Sequence, residues 1–384
     1  GTRTLSVNQT ADGTFLGKIE VGSSSRDIAL VKTGSAKLTL SGINTYTGGT
    51  TVNGGTLRLT TSSSGTGTIR GTLSAGTGTT IEIGGTDVLG YSTGSDAVRT
   101  INLNGATLVQ TQNRNETNTA VINMAGGSTI SATGGTSALF DMFGGTAALN
   151  ASGDTTNTIS SPVRLRQDNT TFTVADGAAA TDLLVSGVIS KGLEGNGALV
   201  KAGAGRMVLS ASNTYTGNTT INGGVLELST TGKLYNGGYQ GSAIVTVNAG
   251  GTWRMPNYSY DVVGQLADYA ARRVLNGGTI EVTGGTHSSG QDFTVGTNGG
   301  TFRYNPANTA STLTLVGNNN SDITLNGALV FDTVGNITVD DPAGANSGVL
   351  AGTGGITKSG AGTLRLNAAN SYNGPTTVAA GILA

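Results

Sequence analysis

The sequence has no cysteine. Disulfides and thiolate metal sites are therefore excluded, which suits the cytosol and equally suits passage through an oxidising bacterial periplasm. The single histidine, His287, falls short of the three or four ligands that zinc needs. No apolar run approaches the length of a membrane-spanning helix, which is about 20 residues. Charged residues are only 11 %, against about a quarter in ordinary globular chains, and the net charge is −1 without a long basic patch. Neither nucleic acid nor an anionic membrane is an expected partner. The Gly-rich stretch Ala202–Gly205 is not followed by the Gly-Lys-Ser/Thr of a phosphate loop. No secretory leader stands at Gly1.

What is abundant is glycine, 64 of 384 residues, together with Thr, Ser and Asn. With 36 % hydrophobic residues and little charge, the composition is not that of a disordered chain. It is repetitive. LVKTGSAKLTLSGINTYTGGTTVNGGTLRL starts at Leu30, LVKAGAGRMVLSASNTYTGNTTINGGVLEL at Leu199, and ITKSGAGTLRLNAANSYNGPTTVAAGILA at Ile356. Lys32, Lys201 and Lys358 coincide in the three copies, which lie far apart along the chain. The third copy breaks off at Gly381-Ile-Leu-Ala where the others run on, so the chain is expected to continue beyond residue 384.

A finer period lies within the copies. Leu38 and Leu40 recur as Leu57 and Leu59, Met207 and Leu209 as Leu226 and Leu228, and Leu364 as Leu383. Ile81, Ile101 and Ile122 are spaced similarly. Short strands repeating about every 20 residues, apolar at alternate positions, predict an all-β fold: one continuous parallel β-solenoid over residues 1–384, of roughly 18 coils. Gly and Asn are expected at the corners, where sharp bends need positive φ. The repeat-defining residues are Asn44, Tyr46 and Gly48, then Asn213, Tyr215 and Gly217, then Asn370, Tyr372 and Gly374. The tyrosines are expected over the corner or sealing the core beside it.

GAGTLRLNAANSYNGPTT and TLSGINTYTGGTTVNGGTL resemble the autotransporter-associated β-strand repeat, also called the passenger-associated transport repeat. That family occurs in secreted passenger domains of type V autotransporters and in very large bacterial surface proteins. The resemblance covers three stretches, residues 30–59, 199–228 and 356–384. It implies a right-handed β-helix, export to the cell surface or beyond, a C-terminal β-barrel translocator further along the gene, and repeats that assist secretion and folding. The function implied is a structural or adhesive passenger whose partner is another copy of itself or surface glycans and proteins. A secreted fibre without a barrel and a polysaccharide-acting enzyme are the alternatives.

No catalytic, cofactor or metal residue stands out. Asp340-Asp341 is the only adjacent acidic pair among sparse acids, and Pro342 after it suggests a turn. His287 has Ser288, Ser289 and Asp292 nearby, but no Gly-x-Ser-x-Gly elbow is present and a surface-loop histidine fits better. GGTDVLGYS from Gly84 lacks the recurrence of a calcium nonapeptide. One region departs from the pattern. Residues 235–276 hold half of the tyrosines and the only tryptophan. Val262, Leu266, Ala270 and Val274 recur every four residues, Asp261 is placed to cap, and Arg272-Arg273 precede Asn276-Gly277. A short helical, aromatic insertion is predicted. Its bland role is an apolar flap; its sharper role is a binding surface made of Tyr235, Tyr239, Trp253, Arg254, Tyr258, Tyr260 and Tyr269.

Overall fold

The two-residue period of a strand places alternate side chains on opposite faces. In Lys37–Leu40 and Thr56–Leu59, the leucines are buried while Lys37, Thr39, Thr56 and Arg58 face outwards. The computed structural model describes residues 1–384 except 22–25, 92–94, 113–114, 119–120, 136–137, 143–146, 167, 193–194, 236–242, 259–271, 317–322 and 341–349. The described residues form strands and turns with no α-helix, and successive strands of each sheet pair in parallel. The fold is a parallel β-solenoid.

The chain forms two compact units, residues 1–198 and 199–384. In the first, one sheet runs from Arg3–Asn8 to Thr170–Val174 and a second from Gly13–Phe15 to Leu183–Val185, each of eight strands. A four-stranded third sheet begins only at Asn115–Asn118. In the second unit, the first sheet runs from Leu199–Ala202 to Ser371–Tyr372 and the second from Arg206–Leu209 to Thr376–Val378, again with eight strands each. Its third sheet has five strands and begins at His287–Ser289.

Among the described residues each unit shows eight coils, fewer than the expected total of eighteen requires, because most coils are longer than the repeat copies. On the second sheet the leucines of the first copy pair across one short coil, Leu38 with Leu57. The next steps, Leu57 to Ile81 and Ile81 to Leu108, are each longer than the one before. Met207 pairs with Leu226, Leu209 with Leu228 and Leu364 with Leu383, all as the period predicts. Ile81, Ile101 and Ile122 do not form one column: Ile101 pairs with Ile122 on the first sheet, while Ile81 lies on the second. Similar spacing along the chain does not fix the face when corners vary in length.

The core is a set of stacked columns. In the first unit Leu38, Leu57, Ile81, Leu108, Ile130 and Ile159 are in register and buried. In the second the matching column reads Met207, Leu226, Trp253, Ile280, Phe302 and Phe331. Each such side chain stabilises the fold by about 1.5–3 kcal/mol. Phe302 stacks on Phe293 at 5.3 Å and meets Tyr258 edge-on at 5.4 Å.

That packing corrects the insertion expected over residues 235–276. Val245–Asn248, Gly251–Met255 and Arg273–Asn276 are ordinary coil strands. Residues 261–271 of the predicted helix lie outside the described residues. Its expected last turn is the strand Arg273–Asn276, with Val274 facing out and Arg273 buried. Of the four residues whose spacing suggested one helical face, only Val274 is described, and it lies on a strand.

Candidate functional site: the repeat corner and the two outer faces

The three coinciding lysines point into the solenoid and are fully buried. A lysine ammonium has three N–H donors and no acceptor, so burial demands three acceptors. Lys32 Nζ donates to the carbonyls of Thr33, Gly34 and Gly54, at 3.3, 3.0 and 2.7 Å. Lys201 donates to Ala202, Gly203 and Gly223, at 3.0, 2.9 and 3.0 Å. Lys358 donates to Ser359, Gly360 and Ala380, at 2.5, 2.8 and 3.2 Å. In every copy two bonds close the lysine's own turn and the third crosses to the next coil. Burial lowers the pKa of Lys32 and Lys358, an effect opposed by the charges of Asp12 and Asp332. Glycine is required on both sides of this clamp. Gly34, Gly203 and Gly360 have φ of 77°, 78° and 73°, and Gly55, Gly224 and Gly381 have 59°, 60° and 73°.

The corner asparagines work through their side chains and not through positive φ, which they lack. Asn44 Oδ1 accepts from Ile19 N in the preceding coil, and its Nδ2 donates to Gly42 O and to Thr68 O in the following one. Asn213 Nδ2 donates to Ala211 O and Lys233 O. Asn370 Nδ2 donates to Ala368 O, and its Oδ1 accepts from Leu350 N. Beside them the phenols of Tyr46, Tyr215 and Tyr372 share a hydrogen bond with Thr50, Thr219 and Thr376, at 2.7, 2.7 and 2.6 Å. Tyr46 and Tyr215 are buried, and burial pushes the Tyr46 phenol up to about 12. At Gly48 and Gly374 a Cβ would meet Ile28 O at 2.5 Å and Gly355 N at 2.3 Å, so these glycines serve close backbone approach. Gly217 O accepts a hydrogen bond from Tyr235.

Three of the aromatic residues proposed as a binding surface are placed inside. Tyr235, Trp253 and Tyr258 are at most 1 % exposed. Tyr235 packs on Tyr215 at 5.1 Å and bonds Thr219, and Trp253 fills the core column. Only Arg254 faces out. Tyr239, Tyr260 and Tyr269 lie outside the described residues. The unusual composition of this region had signalled a surface. Its physical origin is a core column that is aromatic where the first unit's is aliphatic.

Several of the residues weighed for chemistry have structural contacts. His287 Nδ1 lies 2.7 Å from Gly285 O, and its Nε2 faces Tyr258 N at 3.4 Å. Ser288 is exposed and Ser289 buried, as strand alternation requires. Asp292 is buried, and its carbonyl accepts from Arg273. Asp340 ends the strand Asn336–Asp340, and Asp341 lies outside the described residues. Among the described residues no group of three His, Asp or Glu side chains is placed to hold a metal.

The two outer faces differ in charge. Across the second sheet of residues 199–384, Glu227, Arg254, Glu281, Arg303 and Asp332 are in register and alternate in sign. Arg254 reaches Glu281 at 2.8 Å and Glu227 at 3.3 Å, and Arg206 reaches Glu227 at 2.6 Å. Burial alone would lower the pKa of Arg254, but hydrogen bonds and charges of Glu281 and Glu227 hold it above the usual value. On the first sheet of the same unit the outward positions include Val200, Thr220, Thr246, Val274, Thr294 and Thr324, and no described strand residue there presents an outward charge. Along its edge the side chains of Asn248, Asn276 and Asn298 donate to those of Asn222, Asn248 and Asn276, at 2.7, 3.1 and 3.0 Å. The first unit has a like ladder of Asn102, Asn123 and Asn150, and Arg99, part-exposed, lies in the same strand as Asn102.

The Passenger-associated-transport-repeat family matches residues 30–59, 199–228 and 356–384, the three segments that carry the lysine clamp. The chain is also similar to the Adhesin BmaC autotransporter of Brucella suis biovar 1 (strain 1330), with 29 % identity over 379 residues. That alignment takes in 98 % of this chain and 8 % of the adhesin, so the chain spans less than a tenth of its relative's length. No solved structure matches. The chain thus carries three passenger-associated transport repeats and is similar, over nearly its whole length, to a small part of an autotransporter adhesin.

Proposed function

We propose that this chain is part of a non-enzymatic, adhesive passenger of a type V autotransporter, displayed at the bacterial cell surface or released from it. Its partner is another copy of itself or the glycans and proteins of a surface. Similarity to an adhesin supports the class of function. The observation that carries the mode of contact is the difference between the two outer faces in residues 199–384. The second sheet's charges pair with one another along the face, so they offer little to a partner. The first sheet presents hydroxyls, amides and small apolar groups with no charge to desolvate, and rigid strands lose little freedom on contact.

The test is display of the passenger on a cell that otherwise does not adhere. Adhesion should fall about tenfold, ~1.4 kcal/mol, when Thr220, Thr246 and Thr294 are replaced by lysine. It should hold when Thr252, Thr279 and Thr301 of the second sheet are replaced instead, with thermal midpoints confirming that both variants fold. If cells displaying the unaltered passenger adhere no better than bare cells, the adhesive reading fails. If both triple variants adhere alike, the assignment to the first sheet fails.

A further inference from the structure

We propose that each repeat copy is a folding nucleus of the solenoid, closed by its buried lysine. The proposal rests on the clamp geometry and stands whether or not the passenger adheres to anything.

Three observations carry it. The clamp occurs three times with the same partners at the same offsets: the carbonyls one, two and twenty-two residues on from the lysine. Two of the three bonds lie within one turn, so the ammonium can be held locally before the next coil arrives. The third bond then captures that coil. On the second sheet the copies also make the shortest of the described coils. Leu38 to Leu57, Met207 to Leu226 and Ile356 to Thr376 are shorter steps than Leu226 to Trp253 or Phe302 to Phe331. Loop closure depends only logarithmically on length, so the shorter coil alone favours the copies slightly. The clamp is what separates them from their neighbours.

The strongest observation is that the clamp does not depend on the face. Lys201 lies in Leu199–Ala202 on the first sheet. Lys358 lies in Ile356–Ser359 on the second, so the third copy is turned by one face relative to the second copy. Asn370 and Tyr372 accordingly stand beside or within a first-sheet strand, where Asn213 and Tyr215 stand in a corner. The lysine, tyrosine and asparagine contacts nevertheless persist. The third copy also keeps its clamp although Val378 and Ile382 in its second coil are 50 % and 58 % exposed. Geometry that survives a change of face and loss of cover is set by the copy's own residues, which is what a nucleus requires.

The test uses the full chain, unfolded in denaturant and refolded by dilution under pulsed hydrogen exchange. Amides of residues 199–228 should gain protection before those of 245–255 and 273–282. Protection arising at one rate in all three segments would overturn the proposal, and this readout needs no variant. Lys201→Met should slow refolding about a hundredfold while changing unfolding less than about twofold. Faster unfolding with unchanged refolding would equally overturn it. Should Lys201→Met fail to fold, Lys358→Met gives the same reading at a copy whose Ala380 is exposed. The chain's lack of cysteine allows a rescue. Lys201→Cys alkylated with 2-bromoethylamine regains an ammonium of near-native reach and should refold at close to the native rate. The same variant alkylated with iodoacetamide should stay slow. No recovery with the ammonium restored would rule out the clamp as the closing step.

Discussion

The second and third repeat copies hold the same clamp in different surroundings. Lys201 and Lys358 are equally buried, but the copies around them are not. Tyr215 is buried and bonded into the next coil through Thr219 and Tyr235, whereas Tyr372 is part-exposed and Val378 and Ile382 are half in water. Local bonds within a copy are thus separable from the cover that neighbouring coils add. The difference gives a scale for what each supplies.

The largest effect is expected at the lysines. Lys201→Met leaves three carbonyls without their donor, and Ala202, Gly203 and Gly223 belong to coils packed on both sides. A loss of about 3 kcal/mol is expected from chemical denaturation, because orphaned buried acceptors cost roughly 1–3 kcal/mol each and part of the lysine's own desolvation is recovered. Lys358→Met should cost about half of that, since water can reach Ala380. Equal losses would mean that cover adds nothing to the clamp.

Alkali should come next. The Tyr46 phenol is neutral in the fold with its pKa raised to about 12 by burial, and Tyr215 is raised well above its usual value for the same reason. An unfolded tyrosine titrates near 10. Stability is therefore fully present below pH ~10 and is lost as pH rises through ~10 to ~12, by about 2–3 kcal/mol for Tyr46 alone. Unfolding midpoints measured across this range should fall, and Tyr46→Phe should flatten the curve. A midpoint unchanged up to pH ~12 would contradict the burial of these phenols.

The glycines should behave alike in both copies, because their requirement is local. Gly224 and Gly381 have φ of 60° and 73°, and a Cβ on either would meet a backbone oxygen at 2.4 Å. Alanine at each should cost about 2 kcal/mol, from left-handed strain and the clash together. A much smaller loss at Gly381 would show that the third copy relaxes where the second does not, and would weaken its standing as an independent module.

These contrasts also mark what could be read from the sequence. The solenoid and the strand spacing within copies followed from alternating leucines and recurring glycines, because those signals are local. The leucine pairs within the copies are in register. The face occupied by each copy was not legible, since it depends on the summed length of corners between them. The role of the lysines was also hidden. Their alignment was visible, but a lysine in a polar, Thr-rich strand reads as solvent-facing until its alternation with Leu30, Leu199 and Ile356 is taken at face value. Trp253 and Tyr258 misled for the opposite reason. Aromatics in a chain poor in aromatics drew attention to a surface, when they pack in the core.

The smallest effect belongs to the tyrosine hydroxyls, and it is the most discriminating. Tyr215→Phe removes one partner of a buried hydroxyl pair and leaves Thr219 still bonded to Tyr235, so a cost of about 1 kcal/mol is expected. Tyr372→Phe removes the matching bond to Thr376, where water can replace it, and should cost close to nothing. The ring remains in both variants, so apolar packing is held constant and only the hydrogen bond and its surroundings differ. If the two losses are equal, the hydroxyl pair is a local feature like the glycines. If they differ as expected, the copy supplies the backbone clamp by itself while its tyrosine bond gains strength only from the coil stacked against it.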